Sequence, residues 1–356
     1  MSTRRTAVVV STVVVAILLV LGARAVWKDD HRSGLRDALD AVPRSTLRLA
    51  FTDWAAVRRE LDVPDQTHPT AATIDRLTSK AYDSDLSAAS SIDESTAALQ
   101  KAFGFSPATV DWEAYAQSRA GATMVVRLPD DLDPQEVRDH LDDLGFTKPA
   151  SSTGVWKGGI DLVAAIDPTI TPELQYVAVL ADQHLVVTSD TESYAEQAVA
   201  AATGHKDSLA DVASTRRLVE TMAEPAAAMV WSEDFACEDL AMSAADQDSQ
   251  SQADSLVQAA GGVHPLTGLV MAMAPDRSLT VGELFESSGQ AKDDLRPRAK
   301  LAVGDAPGRG GSFSDDLDLV SSRTDGPVVK LEFRPKAKSG FVLSALDNGP
   351  VLFATC

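Results

Sequence analysis

From Ala7 to Leu21 the chain reads AVVVSTVVVAILLVL, with no charged side chain and only Ser11 and Thr12 polar. A stretch this apolar has no face to offer water, so it belongs in lipid, in a cleaved leader or in a core. Carried on to Trp27 it comes close to the ~20 residues needed to cross ~30 Å of hydrocarbon. Ser and Thr return their hydroxyls to their own helix backbone, and Arg24 lies near enough to the end to extend toward the headgroups. Trp27 would then sit in the interfacial belt. The competing reading is a signal peptide, with Arg4 and Arg5 as its basic start and Ala23-Arg24-Ala25 as a small-x-small site cleaved after Ala25. The expectation is a retained anchor over 7–27 behind a cytoplasmic tail at 1–6. A Lys and Arg count, with Arg4 and Arg5 before the segment and Arg24, Lys28, Arg32 and Arg36 after it, slightly favours the opposite orientation. The export-like N-terminus and the cysteine usage place the large domain outside the cytoplasm.

The chain has two cysteines, Cys237 and the last residue, Cys356. In an exported chain this predicts one disulfide, Cys237–Cys356, which pins a terminus that would otherwise fray. The remaining ~330 residues suffice for one large or two modest domains. With 52 acidic against 32 basic side chains, net −20, the surface as a whole repels phosphate backbones and anionic lipid headgroups, and nucleic acid is not an expected partner.

Past the anchor, residues 28–45 predict a juxtamembrane helix or linker through Leu35, Leu39 and Val42, stopped by Pro43. TLRLAF alternates as a strand, and Thr52 or Asp53 caps a following helix. In FSPATVDWEAYAQ, Ser106 and Pro107 read as a helix start. ATMVVRL (122–128) reads as a buried strand, Asp133-Pro134 with Glu136 as a capping box, and YVAVLADQHLVV as a hairpin turning at Asp182-Gln183. Strand, helix, strand, strand, helix then recurs from AAMVW (227–231), with a second hairpin at Pro275-Asp276. The fold class expected is α+β: antiparallel sheet or sheets with helices packed on one face, in two βαββα halves at 46–223 and 224–356.

Chemical motifs are sparse. The six histidines have no ligand spacing, and H-E-x-x-H and G-x-S-x-G are absent. Lys338-Ser339-Gly340 matches one motif of penicillin-recognising enzymes, but no S-x-x-K accompanies it. Gly308, Gly310 and Gly311 lack the Gly-Lys-Ser/Thr ending of a phosphate loop and read as a connector. Asp130, Asp131 and Asp133, with Asp315, Asp316 and Asp318, offer oxygens to calcium without the 12-residue loop that would organise them. Lys330, Arg334, Lys336 and Lys338 read as edge-strand cations. No catalytic, metal or cofactor-binding residue is assigned, and no cofactor is expected.

FGFSPATVDW, LDDLGF and YVAVLADQHLVV, with the export segment before them and the terminal cysteine after, resemble uncharacterised membrane-anchored extracytoplasmic proteins of actinobacteria. The resemblance covers most of the chain. It implies an extracytoplasmic location and an α+β fold, and it transfers no catalytic residue. The function expected is a non-enzymatic envelope protein held in the lipid bilayer by residues 7–27, binding or scaffolding another envelope component. The alternatives are a small-molecule or lipid binder, which needs an apolar pocket of several hundred Å3, and an envelope hydrolase or transferase, marked by convergent carboxylates of raised pKa in a cleft.

Overall fold

The structure, a computed structural model, describes residues 34–356 apart from 241, 243 and 244. The expected tail at 1–6 and anchor at 7–27 lie outside the described residues.

The first element is helix α1 (Gly34–Ala41), whose Leu35, Ala38 and Leu39, with Val42 beyond it, are fully buried. The segment expected to lead off an anchor is therefore part of the core. Gly34 lies against the rings of Phe51 and Trp112, where even a methyl group would meet carbon at 3.2 Å. Strand β1 (Arg48–Thr52) follows, then α2 (Trp54–Glu60), capped by Asp53 through the Ala56 N–H at 2.7 Å. Helices α3 (Ala71–Asp83) and α4 (Thr96–Phe103) precede the hairpin β2 (Trp112–Ser118) and β3 (Gly121–Arg127). Next come α5 (Pro134–Asp143), a two-residue β4 (Trp156–Lys157), α6 (Ile160–Ile166), the hairpin β5 (Tyr176–Leu180) and β6 (Leu185–Ser189), α7 (Glu192–Ala202) and α8 (Ala213–Glu220).

The second half repeats this plan. Strand β7 (Ala227–Ser232) leads through α9 (Phe235–Asp239) and α10 (Gln247–Ala260) to the hairpin β8 (Gly268–Met273) and β9 (Leu279–Leu284). After α11 (Ser288–Leu301) and a single turn, α12 (Phe313–Asp316), come the hairpin β10 (Leu317–Asp325) and β11 (Val328–Pro335), then α13 (Leu343–Asp347).

All eleven strands form one antiparallel sheet in the order β10-β11-β9-β8-β7-β1-β2-β3-β6-β5-β4. Outward from the central β1–β7 pair the order is the same in both directions, since β2, β3, β6 and β5 match β8, β9, β11 and β10. Each half thus extends the expected βαββα unit by a further hairpin, and the two halves join edge to edge.

Helices cover both faces of the sheet, which corrects the one-face expectation. On one face Leu49, Phe51, Ala228, Val230 and Val270 pack under α1, α7 and α8. On the other, Ala50, Met229, Trp231, Leu269 and Met271 pack under the remaining long helices. A strand buried on both faces reads as a continuous apolar run, and β7 and β8 are buried at every position.

Two local expectations also change. Ser106 caps only a turn, accepting from the Ala108 N–H at 3.1 Å, and Trp112–Ser118 is strand rather than helix. Trp112, Ala114 and Ala116 face one core and Tyr115 the other, a period of two that the Ser-Pro start obscured. Strand β10 carries little sequence signal because, as an edge strand, it is buried only at Leu317 and is partly or wholly exposed beyond it, at Val320 as well as at its polar residues.

The ladders define two poles. Thr52, Ala227, Met273, Leu279 and Phe333 share one row. The chain comes in at Gly34 beside this row, the near pole. Arg48, Trp231, Leu269, Glu283 and Val329 share the row toward the far pole.

Candidate functional site

At the far pole the two halves meet around Arg48. It reads from sequence as the solvent-facing residue of an alternating strand. In the fold its side chain points under α9 and α13. One guanidinium nitrogen donates to both carboxylate oxygens of Asp347 at 2.6 Å, another to Gln117 at 3.3 Å, and Nε lies 3.8 Å from Asp239. The guanidinium also lies 5.9 Å from the centre of the Trp231 ring, and the Trp231 indole N–H donates to Asp239 at 2.7 Å. One cation of the first half therefore holds two helices of the second.

A cleft opens on each side of Leu47, just before β1. The larger, about 670 Å3, lies beside α7 and carries Arg44, Lys206, Asp207 and Glu233 on its walls. The smaller, about 350 Å3, carries Arg48, Arg119, Phe235 and Asp239. Both are open to solvent, and their charges are partly matched within the walls: Arg44 lies 3.7 Å from Asp207, and Arg119 donates to Glu238 at 2.8 Å. Exposed pairs of this kind exchange partners at little cost, since each is worth only ~0–1 kcal/mol.

The expected disulfide is present. Cys237 on α9 and Cys356 are bonded, with Cα atoms 5.7 Å apart and a sequence separation of 119. It fastens the C-terminus to the helix that walls the smaller cleft. Next to it, the buried Arg298 guanidinium donates to the carbonyls of Phe353 and Thr355 at 2.7 and 2.8 Å and to that of His264 at 2.6 Å. Its Nε donates to Asp294 at 3.1 Å, and Asp294 also binds the His264 ring. Nothing in RPRAK announces this role, because apart from Asp294, one helical turn back, the partners are distant in sequence.

Two glutamates on the same sheet face are fully buried. Glu113 on β2 accepts from the Trp54 indole at 2.7 Å, the Ser90 hydroxyl at 2.9 Å and the Ser91 N–H at 2.6 Å. Burial pushes its pKa up to about 7, against the pull of those donors. Glu283 on β9 has no hydrogen bond to either oxygen among the described residues, and Arg298 Nε stands 3.9 Å away. Burial raises it to about 8; Arg298 opposes the shift and Asp294 adds to it. The two acids lie toward opposite poles, with no exposed surface on either, so they do not form a pair flanking a cleft.

The sequence candidates fall elsewhere. Asp133 caps α5 through the Gln135 N–H, Asp130 pairs with Arg127 at 3.0 Å, and Asp315 accepts from the Ser312 N–H at 2.8 Å. The acidic clusters therefore serve as caps and ion pairs, and no group of His, Cys, Asp and Glu among the described residues is arranged to hold a metal. Gly308, Gly310 and Gly311 all have φ of +70° to +78° and form the connector into α12. Lys338-Ser339-Gly340 belongs to the loop after β11.

The edge-strand reading of the basic run is corrected: β11 lies between β10 and β9, and Lys330 is buried, its ammonium donating to the Thr221 carbonyl. The true edge, β10, carries a register shift between Leu319 and Ser321 and exposed polar residues, both of which discourage strand addition. Comparison with protein families, with curated proteins and with solved structures returned no match.

Proposed function

We propose that this chain is a membrane-tethered extracytoplasmic protein, held in the bilayer by residues 7–27, that binds another envelope protein at its far pole. The observation that carries the reading is the Cys237–Cys356 bridge, because a structural disulfide forms and persists in oxidising compartments. The described chain begins at Gly34 at the near pole and the clefts beside Leu47 lie at the far pole, so a bilayer holding residues 7–27 would lie on the side away from the clefts. Their open shape and mixed charge suit a polar protein surface better than an acyl chain, which would call for an enclosed apolar cavity. The role is scaffolding, with the domain as a rigid, disulfide-fastened head.

A photo-crosslinking residue at Gln197 or Phe235, one per cleft, tests this in intact cells. A discrete adduct is expected from the cleft positions. It should disappear when Arg44 and Lys206 are both changed to Glu in the larger cleft. Adducts that arise only from near-pole positions, or that survive the charge reversal, would contradict the proposal.

A further inference from the structure

Among the described residues five large apolar side chains are conspicuously exposed, and two of them, Tyr82 at 58% and Phe341 at 52%, touch. Their rings meet edge to face with centroids 5.0 Å apart. Tyr82 ends α3 in the first half, and Phe341 lies in the loop after β11 in the second. The contact is held from below. Asp85 accepts from the N–H groups of Val342 and Leu343 at 2.7 and 2.6 Å and from the Ser344 hydroxyl at 2.6 Å. Arg277 donates to the carbonyls of Ala337 and Gly340, and the Gly340 N–H donates to the Asp83 carbonyl. Two aromatic rings are thus fixed in water by buried machinery, an arrangement that costs hydrophobic free energy unless something covers them.

The surroundings say what covers them. Arg334 at the end of β11, and Lys336 and Lys338 in the loop after it, are exposed in a chain whose net charge is −20. The acids nearby include Asp83, Asp276, Asp316 and Asp318. Lys336 is 3.5 Å from Asp318, while Lys338 has no ion pair among the described residues. Aromatic rings flanked by lysines are the composition of a protein surface seated at a lipid headgroup layer.

Position agrees. Strand β11 leaves the sheet at the near pole, in the row that contains Thr52, the end at which the chain arrives. From β1 to β11 is four ladder steps of ~4.8 Å, or ~19 Å. Residues 28–33, between Trp27 and Gly34, can extend at most ~20 Å. A modest tilt of the head therefore brings the rings to the bilayer that holds the anchor.

We infer that Tyr82 and Phe341, with Lys336 and Lys338, form a second contact with the bilayer, a foot that dips into an anionic headgroup layer and fixes the tilt of the head. This rests on the anchored reading above. The contact can be weak on its own, because the tether supplies a high effective concentration.

The test uses the full chain in vesicles of phosphatidylcholine containing phosphatidylglycerol, with a nitroxide on Ser339→Cys or, as a far-pole control, on Gln197→Cys. The ratio of collisions with oxygen to collisions with a water-soluble relaxer is expected to be several-fold higher at 339 than at 197. It should fall to the control value in the Tyr82→Ser, Phe341→Ser variant, and to fall also in vesicles of phosphatidylcholine alone. A 339 label as aqueous as the 197 label, in protein that floats with the vesicles, overturns the foot and leaves the anchor standing. Protein that does not float overturns both.

Discussion

Replacing Glu113 by Gln changes the pH dependence of folding in a direction that the surroundings of the carboxyl group fix. The pKa is raised from 4.5 to about 7, so the folded state holds its proton more tightly than the unfolded chain. Below pH 4.5 both states are protonated and ionisation costs nothing. Between pH 4.5 and about 7 the unfolded chain ionises first, and stability falls by ~1.4 kcal/mol per pH unit. Above about 7 both states are ionised, and the loss levels off near ~3 kcal/mol. Glutamine does not titrate and escapes this loss. Its amide NH2, however, must face either the Trp54 indole N–H and Ser90 hydroxyl or the Ser91 N–H, and one unpaired buried donor costs ~1–3 kcal/mol at every pH. Urea unfolding followed by tryptophan fluorescence reads both terms. The Glu113→Gln protein should be the less stable one at pH 5 and gain ~3 kcal/mol on the parent by pH 8, with an unchanged urea slope. A difference that stays flat with pH, or one that moves in the parent's favour, would refute the reasoning, because it would mean that the three donors outweigh burial.

Three further perturbations have fixed signs. Glu283 is raised from 4.5 to about 8 and has no hydrogen bond among the described residues, so Glu283→Leu should gain ~4 kcal/mol on the parent as pH rises from 5 to 9, read by the same urea titration. Cleaving the Cys237–Cys356 bridge by Cys237→Ser, Cys356→Ser opens a loop of separation 119 and should cost ~4–5 kcal/mol in thermal or urea unfolding, while unaltered stability would show that the bridge constrains nothing. Asp85→Ala strips acceptors from the backbone N–H groups of Val342, Leu343 and Ser344 and should cost ~2–4 kcal/mol, with hydrogen exchange at 342–346 rising selectively; uniform exchange would contradict the local assignment.

The parts of the fold that could be read in the sequence are those set by neighbours along the chain. The Pro275-Asp276 turn, the Asp133 cap and the run AAMVW each carry their own signal, and each forms the expected element. Two cysteines behind an export-like segment are enough to predict one bridge, and Cys237 and Cys356 form it. The union of both halves into one sheet was not legible, because it depends on β1 and β7 pairing across the intervening chain. Helices on both faces follow from the same fact, and the all-apolar β7 and β8 were the available sign. Strand β2 was lost because a Ser-Pro turn start and a helix start look alike until alternation at Trp112, Ala114 and Ala116 is weighed against them. At the far pole, Arg48 pairs with Asp347 near the opposite end of the chain, and Arg298 reaches Phe353 and Thr355, 55 and 57 residues on; only its Asp294 contact is local. The Tyr82–Phe341 contact is hidden for the same reason.

The central claim is that the head folds in an oxidising space, and thiol trapping tests it most directly. Intact cells are acid-quenched and alkylated before any reduction, and the purified chain is digested and mapped by mass. The account predicts a single linked peptide pair containing Cys237 and Cys356, which takes up alkylating agent only after reductant is added. Two separately alkylated peptides from unreduced cells would contradict it.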